Sequence, residues 1–86
     1  MNRGGIGVEA GLHTIRAGMR AVVMQMQDSP GITKRLWQMG IKPGTVVYCC
    51  YRSPGGRVVV LEFRDRKMAL STKDLRKVRV ALSMYF

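Results

Sequence analysis

The chain has 86 residues, of which 47% are hydrophobic and 23% charged, with a formal net charge of +10. This length suits one small domain, and the balance of apolar and charged residues excludes a disordered chain. No stretch approaches the roughly 20 apolar residues of a membrane-spanning helix, and we expect no signal peptide because the first residues lack an apolar core.

The charge and the cysteines both bear on the setting in which the protein works. An excess of 15 Lys and Arg over 5 Asp and Glu indicates an acidic partner, such as nucleic acid or an acidic protein surface, or a surface that is simply basic. Cys49 and Cys50 are adjacent and form no disulfide framework, so we expect a reducing, cytoplasmic location.

The chain begins with a glycine-rich stretch. Residues 1–11 hold four of the ten glycines, and we interpret them as a flexible leader to a single domain over 12–86. Gly18 predicts a turn before the first strand, which the apolar residues of 20–27 indicate.

A short helix is predicted over about 31–39, directly after that first strand. Ile32, Leu36 and Met39 are spaced so that they share one buried stripe of a helix. Thr33 or Ser29 is the expected side-chain cap at its start.

A double stop signal follows this helix. Gly40 is placed to end it in the left-handed conformation, and Ile41 can pack back against it. Pro43 and Gly44 then have the chemistry of a tight turn leading into a strand.

The rest of the chain alternates short strands with turns. Four further strands are predicted, and a single helical turn near 72–76, capped by Ser71 or Thr72, precedes the last of them. The fold class is therefore mainly β, a small β-barrel of about five strands with one short helix. The four further strands are expected at 45–51, 58–63, 68–71 and 78–82, and the apolar tail Met84–Phe86 is expected to close the core or to bind a partner.

The residues offer no catalytic constellation. His13 is the only histidine, and no acidic residue forms a close pair with it in the sequence. His13 together with Cys49 or Cys50 is the one alternative, a partial soft site for zinc or ferrous iron, which lacks the usual ligand spacing. We therefore predict neither an enzyme nor a metal site.

Basic residues concentrate in the last third of the chain, which keeps nucleic-acid binding as an alternative function. A barrel that binds single strands usually adds stacking aromatic residues, and this stretch has none before Tyr85 and Phe86. The basic cluster consists of Arg64, Arg66, Lys67, Lys73, Arg76, Lys77 and Arg79.

The order of these features resembles the ferrous iron transport protein A (FeoA) family of bacteria and archaea. The resemblance runs from about Leu12 to Leu82, and its most specific part is the leucine, Met-Gly-Ile and Pro-Gly of the helix and turn. The positions that carry this structural motif are Gly18, Leu36, Met39, Gly40, Pro43 and Gly44.

The resemblance implies an SH3-like barrel with a helical insertion that acts in the cytoplasm and is not an enzyme. Family members are thought to assist the membrane ferrous iron transporter FeoB by contacting its cytoplasmic GTP-binding part, and related domains are fused to iron-dependent repressors. The expected partner is thus FeoB, with no cofactor and no insertion into the membrane. The glycine-rich leader, the adjacent cysteines and the high positive charge depart from a minimal member.

The outward face of the short helix is the predicted partner-binding site. Aromatic and arginine side chains are favoured anchors of interfaces, so Trp37 and Arg35 are the leading candidates. Trp37 has an alternative role, since it can instead cover the end of the barrel. The predicted partner-binding residues are Lys34, Arg35, Trp37 and Gln38.

Overall fold

A computed structural model describes residues 8–27 and 29–83 of the chain. The first seven residues of the predicted leader and the Met84–Phe86 tail lie outside the described residues. The strands are β1 (Val8–Gly11), β2 (Arg20–Met26), β3 (Val46–Arg52), β4 (Val58–Phe63), β5 (Arg66–Ser71) and β6 (Val78–Ser83), the helices are α1 (Ile32–Met39) and α2 (Thr72–Leu75), and a 3₁₀ turn spans Leu12–Thr14.

The fold is mainly β, as predicted, but the described residues contain six strands rather than five. All six lie in one antiparallel sheet in the order β1-β6-β2-β3-β4-β5. No ladder joins the edge strands β1 and β5 in the part of the chain that is described, so the sheet is open between them. The 3₁₀ turn after β1 contacts α2, which directly follows β5.

The additional strand, β1, comprises the last four residues of the predicted leader. Val8 pairs with Leu82 and Gly11 pairs with Arg79, so β1 is held by a strand far away in the sequence. Glycine has a low intrinsic preference for strands, and only this distant partner makes the segment extended. The helix α1 consequently lies between the second and third strands, not after the first.

The core forms from side chains that alternate along the central strands. Val59, Leu61 and Phe63 of β4 are buried, whereas the residues between them are only partly buried, which is the period of two expected for a strand. Strands β2, β3 and β6 and both helices also contribute buried side chains, whereas β5 contributes only the partly buried Met68 and Leu70. The remaining buried hydrophobic residues are Leu12, Ile15, Ala21, Val23, Leu36, Ile41, Val47, Cys49, Leu75, Val78 and Val80.

The end of α1 follows the predicted stop signal. Gly40 has φ +104° and ψ 3°, and its N–H donates to the carbonyl of Trp37 at 3.0 Å. The N–H of Ile41 donates to the carbonyl of Leu36 at 2.9 Å, and Ile41 is fully buried. These two bonds are those of a Schellman motif, which satisfies carbonyls that the helix leaves free at its end.

The start of α1 differs from the prediction, because neither Thr33 nor Ser29 caps it with a side chain. The N-cap is Gly31, which has no side-chain oxygen to offer the helix. The Thr33 hydroxyl instead donates to the carbonyl of Gln27 at 2.8 Å, which ties the helix to the end of β2. At the short helix α2 the prediction is confirmed, since the Ser71 hydroxyl accepts from the N–H of Lys73.

The segment between α1 and β3 is a tight turn. Thr45 donates its N–H to the carbonyl of Lys42 at 2.9 Å, and Gly44 has φ +94°. This is the geometry of a type II turn with Pro43 and Gly44 at its centre. None of the described helices is long and apolar enough to cross a membrane.

Candidate partner-binding surface

Helix α1 presents its four predicted site residues to solvent. Leu36 is buried beneath the helix, with Ile32 and Met39 packed against the core on the same side. The other side of the helix is therefore free for contact. We define the α1 face as Lys34, Arg35, Trp37 and Gln38, all of which are exposed.

Trp37 is the apolar centre of the α1 face. It is 49% exposed and is not among the buried or partly buried hydrophobic residues of the core. Its ring borders a shallow groove of about 390 Å³, and the ammonium of Lys42 lies 5.9 Å from its centroid. The groove is lined by Ser29, Pro30, Thr33, Lys34 and Trp37.

The electrostatic character of the α1 face is positive. Helix α1 contains no acidic residue, and Lys34 and Arg35 both project from its exposed side. Lys42 adds a third positive charge at the edge of the tryptophan ring. Such a surface, an exposed aromatic residue among cations, suits a partner with an apolar contact bordered by acidic groups.

Sequence reasoning missed two residues of this surface, Pro30 and Lys42. Pro30 lies in the predicted break before the helix, and Lys42 lies in the turn after it. Neither position has a periodic pattern that would place it beside Trp37. Only the Schellman motif and the following turn bring Lys42 back towards the helix.

Three residues of the predicted basic cluster line two separate grooves. Lys73 and Arg76 line a groove of about 600 Å³ together with Arg57, which sequence reasoning did not include. Arg64 lies in a different groove with Arg20, beside the acidic residues Glu62 and Asp65. The first groove is the more uniformly positive of the two.

His13 and the cysteines do not come together. In the described part of the chain, no group of three or more His, Cys, Asp or Glu residues is placed to hold a metal ion. Cys49 is buried and Cys50 is partly exposed, and the register of β3 against β4 shifts between Cys49 and Tyr51, so the regular alternation of a strand is interrupted at Cys50. Burial raises the pKa of both thiols, and the Cys50 thiol donates to Glu62 at 3.7 Å.

His13 lies in a strongly basic neighbourhood. Burial lowers the pKa of its imidazole, and the positive charges of Arg76, Arg52 and Arg79 lower it further. Its ring occupies the space that a side chain at position 11 would need, which is why Gly11 lies beneath it. Its Nδ1 atom is buried with no hydrogen-bond partner in the described structure.

Arg52 holds this region in place. One guanidinium nitrogen donates to the carbonyl of His13 at 2.9 Å and to that of Ile15 at 3.0 Å. This arginine therefore ties the end of β3 to the 3₁₀ turn, across 37 to 39 residues of sequence. Its role here is structural, since its guanidinium donates to two backbone carbonyls.

Comparison with known protein families gives one match. The model of the FeoA domain family matches residues 11–82, which is most of the chain. A search of curated proteins finds no match.

Comparison with solved structures gives the fold. An iron uptake regulatory protein (FeoA) is 16% identical, with 87% of this chain and 99% of that chain covered at a TM-score of 0.78. FeoA from Stenotrophomonas maltophilia, described as a prokaryotic SH3 domain protein and solved with zinc, is 23% identical, with 86% and 95% covered at 0.75. A manganese-dependent transcriptional repressor is 15% identical, with 86% of this chain and 41% of that chain covered at 0.78. The fold is therefore SH3-like.

Proposed function

Because the chain belongs to the FeoA domain family, we propose that it is a non-enzymatic accessory protein for ferrous iron uptake in the cytoplasm. It docks on the cytoplasmic GTP-binding part of the membrane ferrous iron transporter FeoB. The family match over residues 11–82 supports the link to iron transport. The observation that carries the docking role is the exposed α1 face, whose tryptophan has no structural task in the core.

The α1 face has the composition of an interface centre. Trp37 offers a flat apolar surface, and Arg35, two residues earlier and therefore on the opposite flank of the exposed face, offers a planar fork of donors for a carboxylate. Helix α1 is short but held at two points. Leu36 packs it against the core, and the hydrogen bonds of the Schellman motif fix its carboxyl end. A rigid helix loses little conformational entropy on binding, which favours it as a docking element.

The direct test is binding to the isolated GTP-binding domain of the transporter, measured by calorimetry. Replacing Trp37 and Arg35 together by alanine should weaken binding by about thirtyfold or more, which corresponds to the loss of one interface hot spot. The matched control replaces Tyr51 and Arg16 by alanine. Tyr51 is 50% exposed, compared with 49% for Trp37, and neither control residue belongs to the α1 face.

The possible outcomes distinguish an error in the docking site from an error in the docking function. Unchanged binding by the Trp37 and Arg35 variant would remove the α1 face as the docking site while leaving the partner intact. No binding by the wild-type chain, with or without a guanine nucleotide, would contradict the docking function itself. Equal losses in the test variant and in the Tyr51 and Arg16 control would show that the effect is not local.

The alternative function is nucleic-acid binding, and one observation favours it. Arg57, Lys73 and Arg76 line one groove, and their side chains make no ion pair with any described residue. Three such cations can contact three phosphates, and the affinity for RNA or DNA would then fall steeply with added salt, with a logarithmic slope of about −2 to −3. No binding to a mixed oligonucleotide pool at low salt would eliminate this function.

The docking role, as we propose it, requires no bound cofactor. A carrier of ferrous iron would need a ligand set, and His13, Cys49 and Cys50 do not form one together. Calorimetry with ferrous ion under anaerobic conditions tests this point. Heat with one-to-one stoichiometry that disappears in a His13→Ala variant would make the chain a metal carrier instead.

A further inference from the structure

Strand β5 is an open edge of the sheet. On one side β5 pairs with β4 along its whole length, from Arg66 opposite Phe63 to Ser71 opposite Val58. On its other side no strand of the described chain is paired with it. An unpaired strand of six residues presents a row of free backbone groups, about 20 Å long, to any extended peptide that fits.

The hydrogen bonds of β4 identify which backbone groups of β5 are free. Residues 64 and 65 both have positive φ and form a two-residue turn, so Phe63 and Arg66 are a hydrogen-bonded pair, and this pairing recurs at every second residue. Two backbone hydrogen bonds just outside the strand agree with this pairing. The N–H of Thr72 donates to the carbonyl of Arg57, whereas the carbonyl of Val58 accepts from Ser53 on the other side.

It follows that the backbone groups of Lys67 and Ala69 point away from the sheet. Arg66, Met68 and Leu70 direct their N–H and C=O groups towards β4. Lys67 and Ala69 alternate with them, and outside the β4 ladder no backbone hydrogen bond to another described residue involves either of these two. Both residues are exposed, so neither the backbone nor the side chains bar access to the edge.

The charges around this edge are positive on balance. Arg66 and Lys67 lie at its start beside Arg64, and Lys73 lies just past its end. The acidic residues nearby are Asp65 in the turn, Asp74 in α2 and Glu62, which is the partner of Lys67 on β4. Between the two basic ends the strand is neutral, with the sequence Met-Ala-Leu-Ser.

We propose that the β5 edge binds an extended acidic segment of a partner protein, which adds as a seventh strand and pairs with the backbone of Lys67 and Ala69. Backbone bonds give the contact its geometry, and the basic ends select a segment with acidic residues at both ends and small or apolar residues between them. The site is separate from the α1 face and does not depend on which protein carries the segment.

A second copy of this chain fits the β5 edge less well than an acidic segment does. In a parallel pair of β5 edges, Arg66 and Lys67 of the two copies would lie side by side, where like charges repel. In an antiparallel pair centred on Ala69, Lys67 of each copy would lie opposite Ser71 of the other and would meet no acidic side chain there. Lysine and arginine on an edge strand protect proteins against self-association. The positive charge therefore favours an acidic strand over a second β5 as the occupant.

The test uses hydrogen exchange of backbone amides, followed by NMR. The probe is the peptide EDTVTVDE, and its control is KKTVTVKK, which has the same middle and the opposite charge. In the free protein the amides of Lys67 and Ala69 should exchange fast and those of Met68 and Leu70 slowly. The acidic peptide at tenfold excess over its dissociation constant should slow exchange at Lys67 and Ala69 about tenfold, while the basic peptide leaves it unchanged.

A proline substitution provides the decisive variant. Ala69→Pro removes the outward N–H and blocks the approach of a strand, yet it spares the β4 ladder because that N–H is not part of it. Affinity for the acidic peptide should fall about tenfold or more, while slow exchange at Met68 and Leu70 shows that the sheet is intact. Ala69→Thr is the matched control, since it keeps the N–H and should bind like the wild-type chain.

Four results would overturn the proposal. The first is an unchanged exchange rate of the Lys67 and Ala69 amides when the acidic peptide is present at several times a concentration of about 1 mM. That concentration is the weakest dissociation constant expected of such a contact. The second is equal binding by the Ala69→Pro and Ala69→Thr variants. The third is slowing of these two amides by a single-stranded oligonucleotide and not by the peptide, which would assign the edge to nucleic acid. Dimerisation of the free chain through β5 would likewise contradict it.

Discussion

Replacing Gly40 by alanine should destabilise the chain, because Gly40 ends α1 with a backbone conformation that side chains disfavour. Its φ of +104° lies well beyond the usual left-handed value near +57°. An L-residue in the left-handed region costs roughly 1–2 kcal/mol, and the upper end applies at this angle. Alanine also stiffens the unfolded chain, which offsets about 0.4–1 kcal/mol of that cost.

The core adds little to this cost. A Cβ at position 40 would lie 3.4 Å from Cε2 of Phe63, which is an ordinary van der Waals contact. We therefore expect Gly40→Ala to lower the free energy of unfolding by about 1–1.5 kcal/mol and the melting temperature by roughly 4–12 °C. Urea unfolding followed by the fluorescence of Trp37, the only tryptophan in the chain, measures the change.

Two other glycines serve as controls for the cost of the backbone conformation. Gly44 has φ +94° and no atom within 4 Å of an added Cβ, so Gly44→Ala should cost only the backbone strain, about 1 kcal/mol. Gly55 has negative φ and equally open surroundings, so Gly55→Ala should be neutral or stabilising by up to about 1 kcal/mol. A neutral Gly40→Ala, or a Gly55→Ala that costs as much, would refute this reasoning.

Two further predictions concern titration and thiol reactivity. The folded chain holds the pKa of His13 below its ordinary value of 6.5, so the unfolded state binds more protons and stability should fall as the pH drops below about 6.5. The urea midpoint should therefore decrease from about pH 7.5 to pH 5.5 in the wild-type chain, and less so in His13→Gln; equal slopes would contradict this origin. Ellman's reagent should modify Cys50 in the native chain, more slowly than a free thiol because burial raises its pKa, and Cys49 only on unfolding. Loss of the native reaction in Cys49→Ser rather than in Cys50→Ser would show that the assignment is reversed.

The parts of the fold that the sequence predicts well are those that depend on local signals. Gly40 and Ile41 form a helix stop whose chemistry is contained in two adjacent residues, and Pro43 with Gly44 forms a turn in the same way. The exposure of the α1 face follows from the spacing of Leu36 and its neighbours. Each of these features needs only a few consecutive residues to be recognised.

The parts of the fold that the sequence does not predict depend on contacts between residues far apart in the chain. Strand β1 lies at the end of a glycine-rich stretch and exists because β6 pairs with it, and nothing within the segment indicates that partner. The role of Arg52 is likewise invisible locally, since its two acceptors lie 37 and 39 residues earlier in the chain. Thr33 has the spacing of a helix cap, but its hydroxyl donates to the carbonyl of Gln27 instead.

The position of β6 in the sheet has a consequence for the order in which the chain folds. Strands β2 to β5 are neighbours both in sequence and in the sheet, so they can pair successively through contacts that are comparatively local. Strand β6 must then insert between β2 and β1, where Val8 meets Leu82 across nearly the whole chain. Closing so long a loop is entropically costly, and we expect this step to limit the folding rate to the millisecond-to-second range. Until it is complete, β2 has an open edge that can pair wrongly with another molecule, so newly made chains are most prone to aggregate before their last strand is in place.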